Sequence, residues 1–256
     1  VDVRGEEFEL RRRLLAADIA CFDFDQCLFA FFIQTLVAAG VMGRSIVSPK
    51  MWRHVWPLLV GGVSLGLLRL HHGLRRHRVP NRVMLELFAH SMQGVPVTMI
   101  RDVVRRSYRF FDLHALECAR LFSQRMTTGI LTESISPIAA QVAEDFPVFS
   151  FAIGNEIEEV DGTFKGYRTM FCSGDDKLRI LQNHMIVNRL RGPVILGHSM
   201  DEAPLARWAM ENNGLTIGIN PDPEVRDLFD IVVEHSRWMD LARWLRMALS
   251  DPSESR

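Results

Sequence analysis

Cysteine is scarce and unpatterned in this chain: four thiols among 256 residues, at Cys21, Cys27, Cys118 and Cys172, without a Cys-x-x-Cys pair. That spacing indicates neither a zinc site nor a disulfide framework, and reduced thiols in a cytoplasmic protein are expected. Repeats and low-complexity tracts are also missing, apart from a polar tail after Ser250 expected to be disordered. No secretory signal is expected, because Glu6, Glu7 and Arg11 to Arg13 break any apolar run near the start. Val1 in place of a methionine suggests trimming or a start within a longer chain. One stretch invites a membrane reading, Val55 to Leu70, with Gly62 and Gly66 at a small-xxx-small spacing. It is short for a span and holds Pro57 and Arg69, so a buried or partner-facing helix is expected instead.

What is present is an ordinary globular balance, 24% charged and 48% hydrophobic. The length supports a full core, as one domain or as a core with a large insertion. A net charge of −1 hides a strong asymmetry. Residues 30–120 carry 13 Lys and Arg against 4 Asp and Glu, whereas the remainder holds 17 basic and 27 acidic residues. Such segregation shapes which partners approach. The run His71 to Arg78 is the densest part of it and reads as a solvated basic face or an anion-docking patch.

Residues 18–25 read as a strand, and the next strand signal comes only at Thr128 to Thr132. Between them, helical spacing runs through Phe29–Val41, Met51–Leu70, Arg82–His90 and Val97–Phe111, punctuated by prolines. Strand and helix then alternate. The pattern predicts a helix over Ile135–Ala143, a strand over Val148–Phe151 and a hairpin turning at Asp161-Gly162. A helix over Lys177–Asn188, a strand at Val194–Leu196, a helix over Ala203–Asn212 and a strand over Leu215–Ile219 follow. Alternation of this kind implies an α/β fold with a parallel sheet.

Against that frame the most informative segment is Asp23-Phe24-Asp25-Gln26-Cys27, after the apolar run Ile19 to Phe22. A run apolar on both faces suits a central parallel strand. Two carboxylates just past it should emerge at the carboxyl edge of the sheet, where open α/β folds place ligands. Carboxylates this close repel unless a cation or a proton lies between them. An Asp-rich surface turn is the plain alternative.

The order of motifs resembles that of the haloacid dehalogenase (HAD) superfamily hydrolases, in the branch related to phosphoserine phosphatase. The resemblance spans residues 18 to about 235. It implies a Rossmann-like core over 1–29 and 121–256, with a helical cap inserted over 30–120. The first family motif, Asp-x-Asp, matches Asp23 and Asp25. It implies Asp23 as the nucleophile that becomes an aspartyl-phosphate and Asp25 as the acid and base. Cys27 holds a position usually taken by Thr or Val and reads as packing. The second motif falls on Ile130-Leu131-Thr132-Glu133-Ser134, and implies that Thr132, Glu133 and Ser134 bind phosphate near a helix start. Alone, Thr132 would more often be a cap or turn residue. The third resembles Gly-x-x-Lys at Gly174 to Lys177, with Lys177 neutralising the transferred phosphoryl group.

The fourth motif departs from the pattern. The branch usually has Gly-Asp-Ser-x-x-Asp-x-Pro, whereas this chain has Gly197-His198-Ser199-Met200-Asp201-Glu202-Ala203-Pro204. Gly197, Ser199 and Pro204 keep the register, so His198 replaces the magnesium-binding Asp and Glu202 the second acid. Magnesium prefers hard oxygen ligands, and imidazole suits other metals better. Three outcomes stay open: weakened magnesium held by Asp23, Asp25 and Glu202 with His198 nearby; another metal; or loss of ordinary hydrolysis. The resemblance implies a phosphomonoester hydrolase acting on a small phosphorylated or otherwise anionic metabolite. An acidic carrier protein or a membrane surface is a further candidate partner for the basic segment. The alternative is an altered or inactive HAD-fold protein with a magnesium-independent biosynthetic or binding role. Nucleic acid is not expected, because the basic residues lie among helices without a reading motif.

Overall fold

The computed structural model describes residues 2–25, 27–28, 37–41, 81–234 and 237–250. In chain order these contain β1 (Asp2–Val3), α1 (Glu7–Leu15) and β2 (Ile19–Phe22), then α2 (Asn81–Met92), α3 (Val97–Ser107) and α4 (Leu113–Ser123). Next come β3 (Thr127–Ile135), α5 (Ser136–Asp145), β4 (Phe151–Asn155), β5 (Ile157–Val160) and β6 (Thr163–Tyr167). The chain continues with α6 (Gly174–Asn188), β7 (Pro193–Gly197), α7 (Ala203–Glu211), β8 (Leu215–Ile219), β9 (Ile231–Val233) and α8 (Trp238–Leu249).

Seven strands form one sheet in the order β1-β9-β8-β7-β2-β3-β4. Every pairing is parallel except that of β1 with β9. This is the Rossmann-like α/β core expected from the alternation of strands and helices. β2 is buried from both sides. Ile19 and Cys21 pack with Leu181 and Met185 of α6 and Leu205 of α7. Ala20 and Phe22 join a second cluster with Ala119 of α4, Ile138 of α5 and Leu241 of α8. Two-sided burial explains why the strand is apolar without alternation. Phe22 is fixed further by edge-on contacts with Phe122 and Phe149, at centroid distances of 5.9 and 5.8 Å. Burying one such ring contributes about 1.5–3 kcal/mol.

The strand order reverses at β2. From it the chain moves through β3 to β4 on one side, then returns to β7, β8 and β9 on the other. The carboxyl ends of β2 and β7 therefore flank the switch point at which open α/β sheets offer a crevice.

Several boundaries differ from the sequence reading. β2 ends at Phe22, so Asp23 to Asp25 lie in the turn beyond it. The strand expected at Val148–Phe151 begins only at Phe151 and ends on the polar Asn155. α6 starts at Gly174 because Ser173 caps it, its Oγ accepting from the Asp176 N–H at 3.2 Å. The hairpin turns at Asp161 and Gly162 as expected, both with positive φ. β1, α1, β9 and α8 had no counterpart in the sequence reading.

The described residues between 30 and 120 are largely helical: 37–41, α2, α3, a 3-10 turn at Tyr108–Phe110, and most of α4. α3 lies on α5, and α4 lies on α8 and β3. The expected helix over Met51–Leu70, the small-xxx-small stretch and the basic run His71 to Arg78 fall outside the described residues, as does most of Phe29–Val41. Among the described residues, no helix is long and apolar enough to cross a membrane.

Candidate functional site

The ladder that holds β2 in place also delivers Asp23. Its N–H donates to the Leu196 carbonyl at 3.0 Å, so its carboxylate leaves the sheet just where β7 is about to end. Lys177 comes from the first turn of α6, and its Nζ donates to Asp23 Oδ1 at 3.2 Å and to Glu202 Oε1 at 2.7 Å. All three side chains are buried: Asp23 is 7% exposed, Lys177 4% and Glu202 2%. A lysine with so little water around it retains its charge only because two carboxylates face it.

Glu202 has a second task. Its Oε2 accepts from the Ser199 N–H at 3.0 Å and the Ser199 hydroxyl at 2.8 Å. It also lies 3.4 Å from the His198 N–H, which points toward it. Ser199 Oγ in turn accepts from the Asp201 N–H at 3.2 Å. Together these bonds form a capping box at the 3-10 turn Met200–Glu202. That local Ser-x-x-Glu spacing is legible in the sequence, beside the resemblance that makes Glu202 a replaced family acid and a candidate metal ligand.

His198 follows β7 and turns its Nδ1 toward Asp23 Oδ2 at 3.3 Å and Glu202 Oε2 at 3.9 Å. The contact with Asp23 is within ion-pair range but outside hydrogen-bond alignment, so the buried Nδ1 has no hydrogen-bond partner among the described residues. Burial works against a charged imidazole here, yet Asp23 and then Glu202 hold its pKa above the usual histidine range. Burial likewise disfavours the Asp23 carboxylate, but Lys177 first and His198 second keep its pKa below the usual range. Lys177 is held well above the ordinary lysine value by Asp23, Glu202 and Glu133, against the cost of burial.

The remaining expected site residues stand around this cluster. Phe22 pairs with Ile130, so Thr132 and Ser134 lie at the end of β3 beyond the register partner of Asp23. Thr132 Oγ1 accepts from the Ser134 N–H at 3.1 Å, and both residues are buried. Ser134 Oγ has no hydrogen-bond partner among the described residues. Glu133 is within electrostatic reach of Lys177, Asp201, Asp23 and Glu202, and burial pushes its pKa up to about 7. Asp25 sits partly buried in the turn that carries Asp23. Cys27 is buried, and desolvation followed by repulsion from Asp23 raises its thiol pKa well above the ordinary value. It packs as a neutral thiol.

One contributor was not anticipated. Asn155, fully buried at the end of β4, donates to the Glu133 carbonyl at 2.6 Å and the Phe171 carbonyl at 3.1 Å, and accepts from the Phe171 N–H at 2.6 Å. It thereby ties the end of β3 to the segment that leads into α6 and Lys177. Its only sequence signal is a polar residue closing an apolar strand.

No family model matches the chain, and no curated protein matches it in sequence. Solved structures do. A HAD family hydrolase from Salmonella enterica serovar Typhi superposes with a TM-score of 0.67 at 12% identity, over 89% of this chain and 70% of that one. A phosphoserine phosphatase captured as a phospho-aspartyl intermediate analogue gives 0.60 at 13% identity, over 89% and 98%. A cytosolic 5′-nucleotidase IIIB bound to cytidine gives 0.65 at 13% identity, over 94% and 88%. At these identities the likeness is one of fold. The chain has the fold of the HAD hydrolases and phosphoserine phosphatases.

Donor atoms of Asp23, His198 and Glu202 lie within 4.8 Å of one another, close enough to surround an ion. Their chemistry does not fit the magnesium that the resemblance implies. One donor is an imidazole nitrogen, whereas magnesium takes hard oxygens in near-octahedral array. Both Glu202 oxygens are held already, Oε1 by Lys177 and Oε2 by Ser199, and Asp23 Oδ1 is held by Lys177.

Proposed function

We propose that this protein is a phosphomonoester hydrolase that works through an aspartyl-phosphate on Asp23. The observation that carries this reading is the buried ion pair of Asp23 and Lys177 at the strand-order switch point. A carboxylate kept ionised and out of water is a competent nucleophile, and the adjacent ammonium suits the charge of a transferring phosphoryl group. In the first step an Asp23 oxygen forms a bond to phosphorus while the ester P–O bond breaks, and Asp25 gives its proton to the departing alkoxide. Asp25 then takes a proton from water as the water oxygen attacks phosphorus and the bond from Asp23 to phosphorus breaks. This releases inorganic phosphate and returns Asp23 to a carboxylate and Asp25 to its protonated form. Thr132, Glu133 and Ser134 line the phosphate position at the end of β3, with Lys177 opposite.

The substrate class follows from the charge. A small anionic metabolite suits the cationic residues between 30 and 120, which in this reading form a helical cap over the site. An acidic carrier or an anionic membrane surface would suit them by the same chemistry. The four free thiols agree with a cytoplasmic location. A second reading, phosphate binding without turnover, draws on the imidazole that faces Asp23 where the resemblance implies a metal ligand.

The test is release of inorganic phosphate across a panel of phosphorylated metabolites, by the parent and by Asp23→Asn. The parent should turn over at least one ester, and the amide variant none, at nearly unchanged thermal stability. Full hydrolysis by purified Asp23→Asn would remove the aspartyl-phosphate mechanism. Tight phosphate-ester binding without release by the parent would favour the second reading.

A further inference from the structure

We propose that the phosphoryl site works without a resident divalent cation, with the Lys177 ammonium and the His198 ring taking up the two sides of Asp23 that a metal would approach. The proposal rests on the phosphoryl-transfer reading above and specifies its charge partner.

Two observations carry it. Each oxygen of Asp23 faces a different nitrogen, Oδ1 the ammonium at 3.2 Å and Oδ2 the imidazole Nδ1 at 3.3 Å. A magnesium ion bridging Asp23 to the substrate would need an Asp23 oxygen, and the one not held by Lys177 is covered by His198. Glu202, the other acidic donor of the trio, has both oxygens engaged in bonds that hold the helix start and the lysine. Withdrawing either oxygen toward a metal would break the bond to Lys177 or the bonds to Ser199 that hold the turn.

The Lys177 ammonium already faces both Asp23 and Glu202, so a divalent ion placed among Asp23, His198 and Glu202 would stand beside a buried cation. His198 passes no proton in this role. Its Nδ1, which makes no aligned hydrogen bond among the described residues, is free to donate to a phosphoryl oxygen once one arrives.

The experiment is calorimetric titration of the intact protein with inorganic phosphate, once in excess EDTA and once with magnesium, together with titration of magnesium alone. The expected result is phosphate binding in EDTA that magnesium leaves unchanged, and no heat from magnesium. His198→Asn should weaken phosphate binding in EDTA by roughly ten- to a hundredfold, as loss of a charge-assisted hydrogen bond does. His198→Asp should gain magnesium binding and make phosphate binding depend on it. Phosphate binding by the parent only when magnesium, manganese or zinc is added would overturn the metal-free site and leave the phosphoryl reading standing. No phosphate binding under any condition would overturn both. If either variant melts early, the parent titrations alone decide the matter.

Discussion

Glu133 offers the sharpest test of the site's electrostatics, because its ionisation should oppose folding in a known pH window. It lies near the end of β3 beside the Asp23–Lys177–Glu202 cluster, and burial raises its pKa from an ordinary 4.5 to about 7. Well below pH 4.5 the side chain is protonated in both folded and unfolded chains and makes no difference. Between 4.5 and about 7 the unfolded chain releases the proton while the folded chain keeps it. Stability therefore falls as pH rises through that window, and the full penalty is present above about 7. At 1.36 kcal/mol per pH unit the gap amounts to at most about 3 kcal/mol, and partial exposure reduces it to about 1–2 kcal/mol. Glutamine keeps the shape and cannot ionise. Glu133→Gln should accordingly be about 1–2 kcal/mol more stable than the parent at pH 8.5 and nearly equal to it at pH 5. Urea unfolding of both proteins at the two pH values reads this directly. A difference that is the same at both pH values, or a loss of stability at pH 8.5, would refute the claim that Glu133 is a strained carboxylate.

Lys177→Met leaves Asp23 and Glu202 buried without their shared cation. It should destabilise the protein by about 3–5 kcal/mol in denaturant unfolding, and an unchanged midpoint would show that the buried pair does not hold in solution. Asn155→Leu strands the Phe171 N–H and the Glu133 carbonyl. A loss of about 2–4 kcal/mol is expected, with faster amide exchange at Phe171, and unchanged exchange there would show that Asn155 does not clamp that segment.

Much of the architecture could be read from the sequence because it rests on local pattern. Ile19 to Phe22 is apolar on both faces because both faces are buried, and the acids that follow must leave the sheet. Asp161-Gly162 turns a hairpin because both positions need positive φ. Other elements carry no such signal. β9 is three residues long, too short for a period to appear. α1 buries only Leu10 and Leu14 among seven other residues, five of them charged. Asn155 acts through partners 16 and 22 residues away, a relation no spacing rule reaches. Glu202 was read through the resemblance as a candidate metal ligand, but its bonds to Ser199 and Lys177 express a shorter-range pattern, the capping box.

The residues that preserve the family register and those that break it divide along a physical line. Gly174 and Gly197 are retained where no side chain fits. A Cβ on Gly174 would run into the Asp201 carbonyl and the Pro204 ring at 2.7 Å, so the glycine lets α6 dock on the turn before α7. That docking brings Lys177 to Glu202. A Cβ on Gly197 would collide with the Glu202 side chain, so this glycine lets Glu202 fold back against the end of β7. Ser199 caps the same turn, and Pro204 sits in the first turn of α7. All four therefore serve the placement of the Lys177 ammonium beside the carboxylates of Asp23 and Glu202. The departures, His198 and Glu202, fall on the two acids of the motif. The imidazole sets a ring nitrogen 3.3 Å from Asp23 where the family pattern has a carboxylate. The glutamate, one methylene longer than aspartate, spans both the helix start and Lys177. Asp23 and Asp25, which the resemblance also counts among the metal ligands, are unchanged. The metal-free site proposed above accounts for this pattern, because it needs the Asp23 carboxylate and its Lys177 partner but not the metal ligand of the fourth motif.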